Sequence, residues 1–198
     1  MAVPACVTAA VLLSPYYAAV LASYFALNIA YSFKLKTIAY LDVLSIAVFF
    51  ILRVLAGAFA IDVPASEWLL ACTFLLAMFL GFGKRAHELA QSPDAEQQRA
   101  ALAGYSMTHL KFMLYALAAL VVVVYALYTR SAHTIALFGT AALLWTVPFP
   151  LVGILRFSHL ATTRHDAESP TEEMLRDPLF LANFAAYVAV TGAILYFK

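Results

Sequence analysis

The sequence predicts an all-α fold, a polytopic bundle of transmembrane helices. Of the 198 residues, 65% are hydrophobic and 12% are Asp, Glu, Lys or Arg, whereas an average soluble domain is about 45–50% apolar and about 25% charged. The apolar residues form continuous runs, not the short alternating segments of an outer-membrane barrel. This composition excludes a soluble enzyme and a disordered chain. The formal net charge of +1 indicates no basic surface for nucleic acid.

Seven apolar runs follow one another along the chain. A membrane span needs about 20 apolar residues, so the first run, Val3–Leu13, is too short and is interpreted as the end of a helix. The six other runs are Tyr16–Tyr31, Ile38–Ala60, Trp68–Phe82, Leu110–Tyr128, Ile135–Leu155 and Leu179–Phe197. We therefore expect one transmembrane domain over residues 1–198, with six full spans plus a partial N-terminal one, that is incomplete at its N terminus.

Charge predicts the orientation of these spans. Two polar stretches, Lys84–Thr108 and Arg156–Asp177, are the only long loops that this division leaves. If the spans cross alternately, one side of the membrane holds Lys34, Lys36, Lys84, Arg85, Arg99, Lys111, Arg156, Arg164 and Arg176, and the other holds Arg130 and Lys198. Because Lys and Arg accumulate on the cytoplasmic side, we expect both long loops to face the cytoplasm from the inner (plasma) membrane.

Two ionisable residues lie inside one predicted span, where such groups usually have a partner or a function. Asp42 and Arg53 are eleven residues apart, which places them on nearly the same face of a helix and about three turns apart. Two interpretations of Arg53 stay open: a structural bond to a neighbouring helix, or the binding of an anionic substrate.

A cluster of charges follows the third full span. If the helix continues beyond Phe82, Arg85 and Glu88 are i,i+3 neighbours, and Lys84 and Glu88 are i,i+4 neighbours. Two cations at the end of a span suit a phosphorylated ligand, and they equally suit an anchor at the membrane edge. Arg156 also ends a span, where a cation can face a polar cavity.

Five motifs occur in order along nearly the whole chain. They are Asn28–Lys36 followed by Asp42, then Gly83–Leu89, then Arg99, Leu102 and Tyr105, then Pro148-Phe149 with Leu155-Arg156, and finally Leu175-Arg176-Asp177. Together they resemble the UbiA superfamily of membrane prenyltransferases and, within it, the decaprenyl-phosphate phosphoribosyltransferase branch. The resemblance implies a helical bundle around a central cavity.

The resemblance also implies a reaction, the transfer of 5-phosphoribose from phosphoribosyl pyrophosphate to a polyprenyl phosphate for envelope polysaccharide precursors. Pyrophosphate would leave with help from Mg²⁺. By analogy, Lys84, Arg85 and Glu88 would lie at the sugar-phosphate site. The full set of candidate substrate-binding residues is Lys84, Arg85, Glu88, Tyr31, Lys34, Lys36, Asp42, Arg53, Tyr105 and Arg156.

The sequence departs from the superfamily at the first Asp-rich motif, which holds the metal and is absent here. Asp42 and Asp62 are single carboxylates on opposite predicted sides of the membrane, whereas Mg²⁺ needs converging oxygens. We therefore expect Mg²⁺ from the family but not its ligands from this chain. A misassigned start, a truncated relic or a partner chain that supplies the missing helices would each account for this. The alternatives in function are prenyl transfer to an aromatic acceptor and an inactive fragment.

Overall fold

The computed structural model describes residues 14–91, 101–163 and 169–196, and these residues are helical apart from the connections between helices. The helices are α1 (Pro15–Phe33), α2 (Leu41–Ala60), α3 (Glu67–Gln91), α4 (Met107–Arg130), α5 (Ala132–Phe138), α6 (Pro148–Thr163), α7 (Pro170–Arg176) and α8 (Pro178–Tyr196). Short 3₁₀ helices cover Leu35–Thr37, Leu102–Gly104 and Ala142–Thr146. The predicted all-α class is confirmed.

Five segments of the described chain are long and apolar enough to cross a membrane. They are α2, α3, α4, α8 and the segment Ala142–Thr163, which contains α6. Helix α1 has 19 residues but is not among the five, and polar side chains such as Asn28 interrupt its apolar sequence. A polytopic membrane bundle is thus confirmed, whereas the count of six full spans is not. The partial span predicted at Val3–Leu13 lies outside the described residues.

The run Ile135–Leu155, predicted as one span, is interrupted in the structure. Helix α5 ends at Phe138, and Gly139 follows in the left-handed conformation with φ 69°, which glycine adopts at little cost. Pro148 then begins α6, because its missing N–H and fixed φ suit the first turn of a helix. The membrane-crossing segment is consequently displaced towards the C terminus and ends at Thr163.

The two polar stretches are partly helical and not simply loops. Helix α3 continues beyond Phe82 to Gln91, which extends the span into the first stretch. In the second stretch Ser169 accepts a hydrogen bond from the Glu172 N–H and caps α7. Glu172 and Glu173 lie in the first turn of this helix, where the helix dipole favours negative charge.

Helix α3 lies at the centre of the packing, because it contacts α2, α4, α6 and α7, whereas α1 packs on α2 and the 3₁₀ turn that follows α1. One buried cluster joins α3, α4 and α6 through Phe79, Leu114 and Phe157. A second joins α2, α3 and α4 through residues that include Val43 and Leu110. These apolar contacts fix the ends of the helices that carry the predicted site.

Three glycines allow close approaches at one end of the bundle. A Cβ atom on Gly81 would lie 2.6 Å from Val43 Cγ1 of α2, and a Cβ on Gly104 would lie 2.7 Å from Ala39 Cβ. A Cβ on Gly83 would overlap the ring of Phe157 in α6. The last turns of α3, the first turn of α2, the later half of α6 and the turn before Tyr105 therefore meet at this end.

Candidate functional site

Arg85 is the centre of a buried polar cluster at this end of the bundle. Its side chain is 2% exposed, and its Nε lies 2.7 Å from Oδ2 of Asp42, which is fully buried on α2. Its Nη1 donates to Oε2 of Glu88 one turn further along α3. The i,i+3 contact between Arg85 and Glu88 is confirmed. The cluster joins two helices through one guanidinium.

Tyr105 closes the cluster from the connection between α3 and α4. Its hydroxyl donates to Asp42 Oδ1 at 2.6 Å and accepts from the Tyr40 N–H at 2.7 Å. Tyr40 has φ 68°, a conformation uncommon outside glycine, and its ring packs on the Tyr105 ring with centroids 4.8 Å apart. Burial, together with the hydrogen bond to Asp42, raises the pKa of Tyr105 above its usual value.

Three lysines among the predicted site residues carry exposed positive charge. Lys34 and Lys36 lie in the turn between α1 and α2, and Lys84 lies one residue before Arg85. All three side chains are exposed, and within the described residues none of them forms an ion pair. Tyr31, near the end of α1, is half-buried with its ring edge-on to Phe49 at 5.8 Å. Of the predicted site residues at this end, the three lysines are therefore accessible to an anionic ligand, whereas Arg85 is not.

Arg156 is already neutralised by a partner that the sequence did not indicate. Its Nε and Nη2 donate to Oδ1 and Oδ2 of Asp177 at 3.0 and 2.5 Å. Asp177 also accepts the N–H of Phe180 at 2.9 Å and so caps α8. Asp177 belongs to the motif Leu175-Arg176-Asp177, but no sequence pattern relates it to Arg156, which lies 21 residues earlier in the chain.

Arg53 is not part of this site. Its side chain is exposed, Nη2 donates to the Tyr24 hydroxyl of α1 at 2.8 Å, and the guanidinium lies over the Phe50 ring at 5.2 Å. Eleven residues of helix separate it from Asp42 by about 16 Å. Of the two interpretations left open, the structure shows the bond to a neighbouring helix.

The carboxylates described at this end do not fit a Mg²⁺ site. Both oxygens of Asp42 contact Tyr105 or Arg85, and both oxygens of Asp177 accept from Arg156, whereas Mg²⁺ needs oxygens that converge on one point. Among residues 14–91, 101–163 and 169–196, no group of three or more His, Cys, Asp or Glu side chains could hold a metal ion.

An apolar cavity of about 370 Å³ lies between α3, α4, α6 and α8. Its lining includes Cys72, Phe79, Val121, Ile154, Phe157 and Phe184. Towards one side of the cavity the Tyr125 hydroxyl bonds to Thr146 Oγ1 and to the Tyr187 hydroxyl, at 2.8 and 3.1 Å. Towards the other side lies Phe157, which follows Arg156 and contacts Gly83 beside Lys84. The cavity lining therefore extends along α6 and α3 as far as the residue before Lys84.

No family model matches the chain, but several curated proteins do. Proteins named decaprenyl-phosphate phosphoribosyltransferase are 31% identical over 189 residues in Mycolicibacterium smegmatis, 29% over 190 in Mycobacterium tuberculosis and 31% over 178 in Corynebacterium glutamicum. These alignments cover 91%, 94% and 86% of this chain and 59%, 61% and 52% of the respective relatives. The chain thus spans about three fifths of the length of the first two relatives. The resemblance seen in the motifs is confirmed: over most of its own length this chain is homologous to proteins named decaprenyl-phosphate phosphoribosyltransferase.

Proposed function

We propose that this chain carries part of the site of a membrane transferase that moves 5-phosphoribose from phosphoribosyl pyrophosphate to a polyprenyl phosphate such as decaprenyl phosphate. The names of the relatives support the transferred group and the acceptor. The observation that carries the proposal is the apolar cavity of about 370 Å³, whose lining residue Phe157 packs against Gly83, the residue before Lys84.

A polyprenyl phosphate has the two properties that this arrangement matches. Its isoprenoid tail is apolar and gains free energy when it leaves water for an apolar cavity, and its phosphate is an anion that a lysine can bind. In the proposal, the tail lies along Phe157 and Phe79 and the phosphate lies near Lys84. The product then serves as a precursor of envelope polysaccharide.

The sugar donor is more highly charged than the acceptor and comes from water. An oxygen of the lipid phosphate attacks C1 of the ribose, the bond from C1 to the pyrophosphate oxygen breaks, and pyrophosphate departs with the electron pair. Cations fixed near the leaving group stabilise the charge that develops on it. Lys34, Lys36 and Lys84 are suitably exposed at the same end of the bundle.

Mg²⁺ remains an expectation of the family resemblance, in which it assists the departure of pyrophosphate. Because the described carboxylates do not form a ligand set, the proposal assigns no step to a metal that they would hold. The residues of this part of the chain bind, orient and neutralise the two anionic substrates.

The proposed site faces the cytoplasm from the inner (plasma) membrane. Phosphoribosyl pyrophosphate is a soluble cytoplasmic anion, and the end of the bundle with Lys34, Lys36 and Lys84 is the end expected to be cytoplasmic from the distribution of Lys and Arg.

We propose further that a partner chain with transmembrane helices covers α1. This helix packs on α2 and the adjoining turn, and Phe25 of α1 and Arg53 of α2 are exposed, although an arginine facing hydrocarbon is costly. The test attaches a fluorophore to the cysteine of Phe25→Cys and measures how strongly brominated lipid quenches its fluorescence. Quenching should fall when the part of the M. smegmatis relative that lies outside the alignment is coexpressed. Unchanged quenching would argue against a covering chain.

The transfer reaction tests the main proposal. Membranes that contain the chain receive phosphoribosyl pyrophosphate labelled in the ribose together with decaprenyl phosphate, with and without that coexpressed segment. We expect label in the lipid fraction, and we expect Lys84→Ala to lower its rate of appearance by about tenfold or more, as for a lost charged contact.

Arg130→Gln is the control, because Arg130 is also exposed but ends α4 at the other end of the bundle. It should leave the rate unchanged. If well-inserted protein gave no labelled lipid under either condition, the proposed transfer would be wrong.

A further inference from the structure

A second cavity adjoins the first cavity, the apolar one between α3, α4, α6 and α8. Its volume is about 340 Å³, and it lies at the end of α3 opposite to Lys84. Its lining comes from the beginning of α3 and the last turns of α4, and consists of Ser66, Trp68, Leu69, Cys72, Tyr125 and Tyr128. Cys72 and Tyr125 also line the first cavity. The two cavities therefore meet at these two side chains.

A chain of hydroxyl groups holds Tyr125 between the cavities. Thr146 Oγ1 donates to the Leu143 carbonyl at 2.6 Å. Because a hydroxyl has one proton to donate, the Tyr125 hydroxyl donates to Thr146 at 2.8 Å and accepts from the Tyr187 hydroxyl at 3.1 Å. Its position is thus fixed by partners on both sides.

The lining of the second cavity suits an apolar ligand. The Tyr125 hydroxyl is paired, and Ser66 Oγ accepts the Leu69 N–H at 3.1 Å at the start of α3. Trp68, Leu69 and Tyr128 add two aromatic rings and an aliphatic side chain. A hydrocarbon chain can enter such a place without leaving a polar group of its own unpaired, which would be costly.

The size of the first cavity limits how much of a lipid it encloses. Pockets of about 300–1,000 Å³ bind drug-sized ligands, and the first cavity, at about 370 Å³, lies near the lower end of that range. The tail of a polyprenyl phosphate with many isoprene units is larger than such ligands. Most of a long tail must therefore leave the first cavity.

The tail has two routes out of the first cavity. Leu76, Leu80 and Phe184 line it and are exposed, so one route leads sideways between α3 and α8. The other leads past Tyr125 into the second cavity. The lining of an empty cavity lacks dispersion contacts, and a tail already held in the first cavity is present at the second at high effective concentration. Both effects favour the second route.

We infer that the second cavity is a subsite for the distal isoprene units of a polyprenyl phosphate, which reach it between Tyr125 and Cys72. The inference rests on the proposed function, because it takes the lipid from it. Gly83 and Trp68, at the two ends of this path, are about 22 Å apart along α3. A short prenyl chain ends in the first cavity, whereas a long one contacts both, so the subsite favours long-chain acceptors.

Photo-crosslinking tests the route of the tail. The full chain in lipid nanodiscs receives farnesyl phosphate or hexaprenyl phosphate, each with a diazirine on its last isoprene unit, and mass spectrometry identifies the labelled residues. We expect the farnesyl probe to label the first cavity at residues such as Ile154. The hexaprenyl probe should label the second cavity at residues such as Trp68 and Tyr128. Excess unlabelled decaprenyl phosphate should suppress both reactions.

Leu69→Trp places a larger side chain at the second cavity. It should lower labelling of that cavity by the hexaprenyl probe several-fold and leave labelling of the first cavity by the farnesyl probe unchanged. Leu127→Trp is the matched control, because Leu127 is exposed near the same end of α4 and lies outside the lining of both cavities. It should change neither reaction, and equal losses in the two variants would overturn the subsite.

The wild-type protein alone also decides between the routes. Labelling of Leu76, Leu80 or Phe184 by the hexaprenyl probe, in place of the second cavity, would show the sideways route and overturn the subsite, and the proposed function would stand. If folded protein were labelled by neither probe, or if decaprenyl phosphate suppressed neither reaction, the proposed function itself would be contradicted, and this inference with it.

Discussion

Asp42 and Arg85 depend on each other, because both are shielded from solvent. A buried charge without its partner retains the cost of leaving water and gains no Coulombic attraction in return. Asp42 also accepts from Tyr105, so the loss of Arg85 would leave a hydrogen-bonded carboxylate in an apolar setting.

We expect Arg85→Met to lower the free energy of unfolding by about 3–5 kcal/mol, as for other buried pairs that lose one partner. Asp42→Leu should cost a similar amount, and the double variant should cost clearly less than the sum of the two. The measurement is unfolding of the purified protein in mixed micelles of increasing denaturing detergent. Additive losses would show that the two residues do not interact.

The raised pKa of Tyr105 predicts a dependence of stability on pH. The folded protein holds the phenolic proton more tightly than the unfolded chain, in which tyrosine has a pKa of about 10. This contribution to stability is therefore complete below about pH 10 and is lost as the pH rises above it. Between pH 8 and 11 the wild type should lose thermal stability more steeply than Tyr105→Phe. Parallel curves for the two proteins would refute this assignment.

Sequence reasoning found part of this cluster. The contact between Arg85 and Glu88 follows from helical spacing alone, and the membrane position of Asp42 marked it as a residue with a partner. The partner itself was not predictable, because Asp42 and Arg85 lie on different helices and no local pattern relates their positions. The resemblance indicated Tyr105, but its contact with Asp42 depends on a turn that only the fold determines.

At the scale of helices, Gly83 allows α6 to approach α3 so that the Phe157 ring packs where a side chain would otherwise stand. Phe157 also contributes to the buried cluster of α3, α4 and α6. This contact determines where the middle of α6, which carries Arg156, lies relative to Lys84.

We expect Gly83→Ala to destabilise the protein by about 1–3 kcal/mol, the usual cost of overpacking a filled interior. Gly192→Ala in α8 is the matched control, because nothing lies within 4 Å of its added Cβ, and it should be neutral or stabilise the helix by up to about 1 kcal/mol. Both are measured by the same detergent titration. Equal effects of the two substitutions would show that the contact with Phe157 is not tight.

Helix positions were predicted better than helix ends. Four apolar runs correspond to α2, α3, α4 and α8, because a continuous apolar run of this length has few other structures available. The break in the run Ile135–Leu155 depends on Gly139 and Pro148, and hydrophobicity alone does not report it. The sequence left open whether α3 continues beyond Phe82, because polar residues occur at the end of a helix as readily as in a loop. The structure extends the helix to Gln91.

Across the whole molecule, the structure combines exposed lysines at one end of the bundle with an apolar cavity between its helices. The exposed lysines offer charge to a phosphate, and the cavity between α3, α4, α6 and α8 offers an apolar surface to a long hydrocarbon. Each was visible in the sequence only as a separate feature, as lysines near span ends and as apolar residues within spans. The packing of Phe157 in α6 against Gly83 in α3 brings the cavity lining to the residue before Lys84.

The central claim is that a polyprenyl phosphate lies with its tail in this cavity and its phosphate at the lysines. Binding tests the claim more directly than turnover, because the chain spans about three fifths of the length of its first relatives. Cys72 lines the cavity and is a free, partly exposed thiol. In a Cys6→Ser background it reports on the cavity alone.

The measurement is the rate at which N-ethylmaleimide modifies Cys72 in nanodiscs, followed by mass spectrometry. Decaprenyl phosphate should slow the reaction several-fold, the uncharged polyprenol should slow it less, and Lys84→Ala should remove most of the difference between the two lipids. An unchanged rate at saturating decaprenyl phosphate, in protein that folds normally, would contradict the placement of the lipid in this cavity.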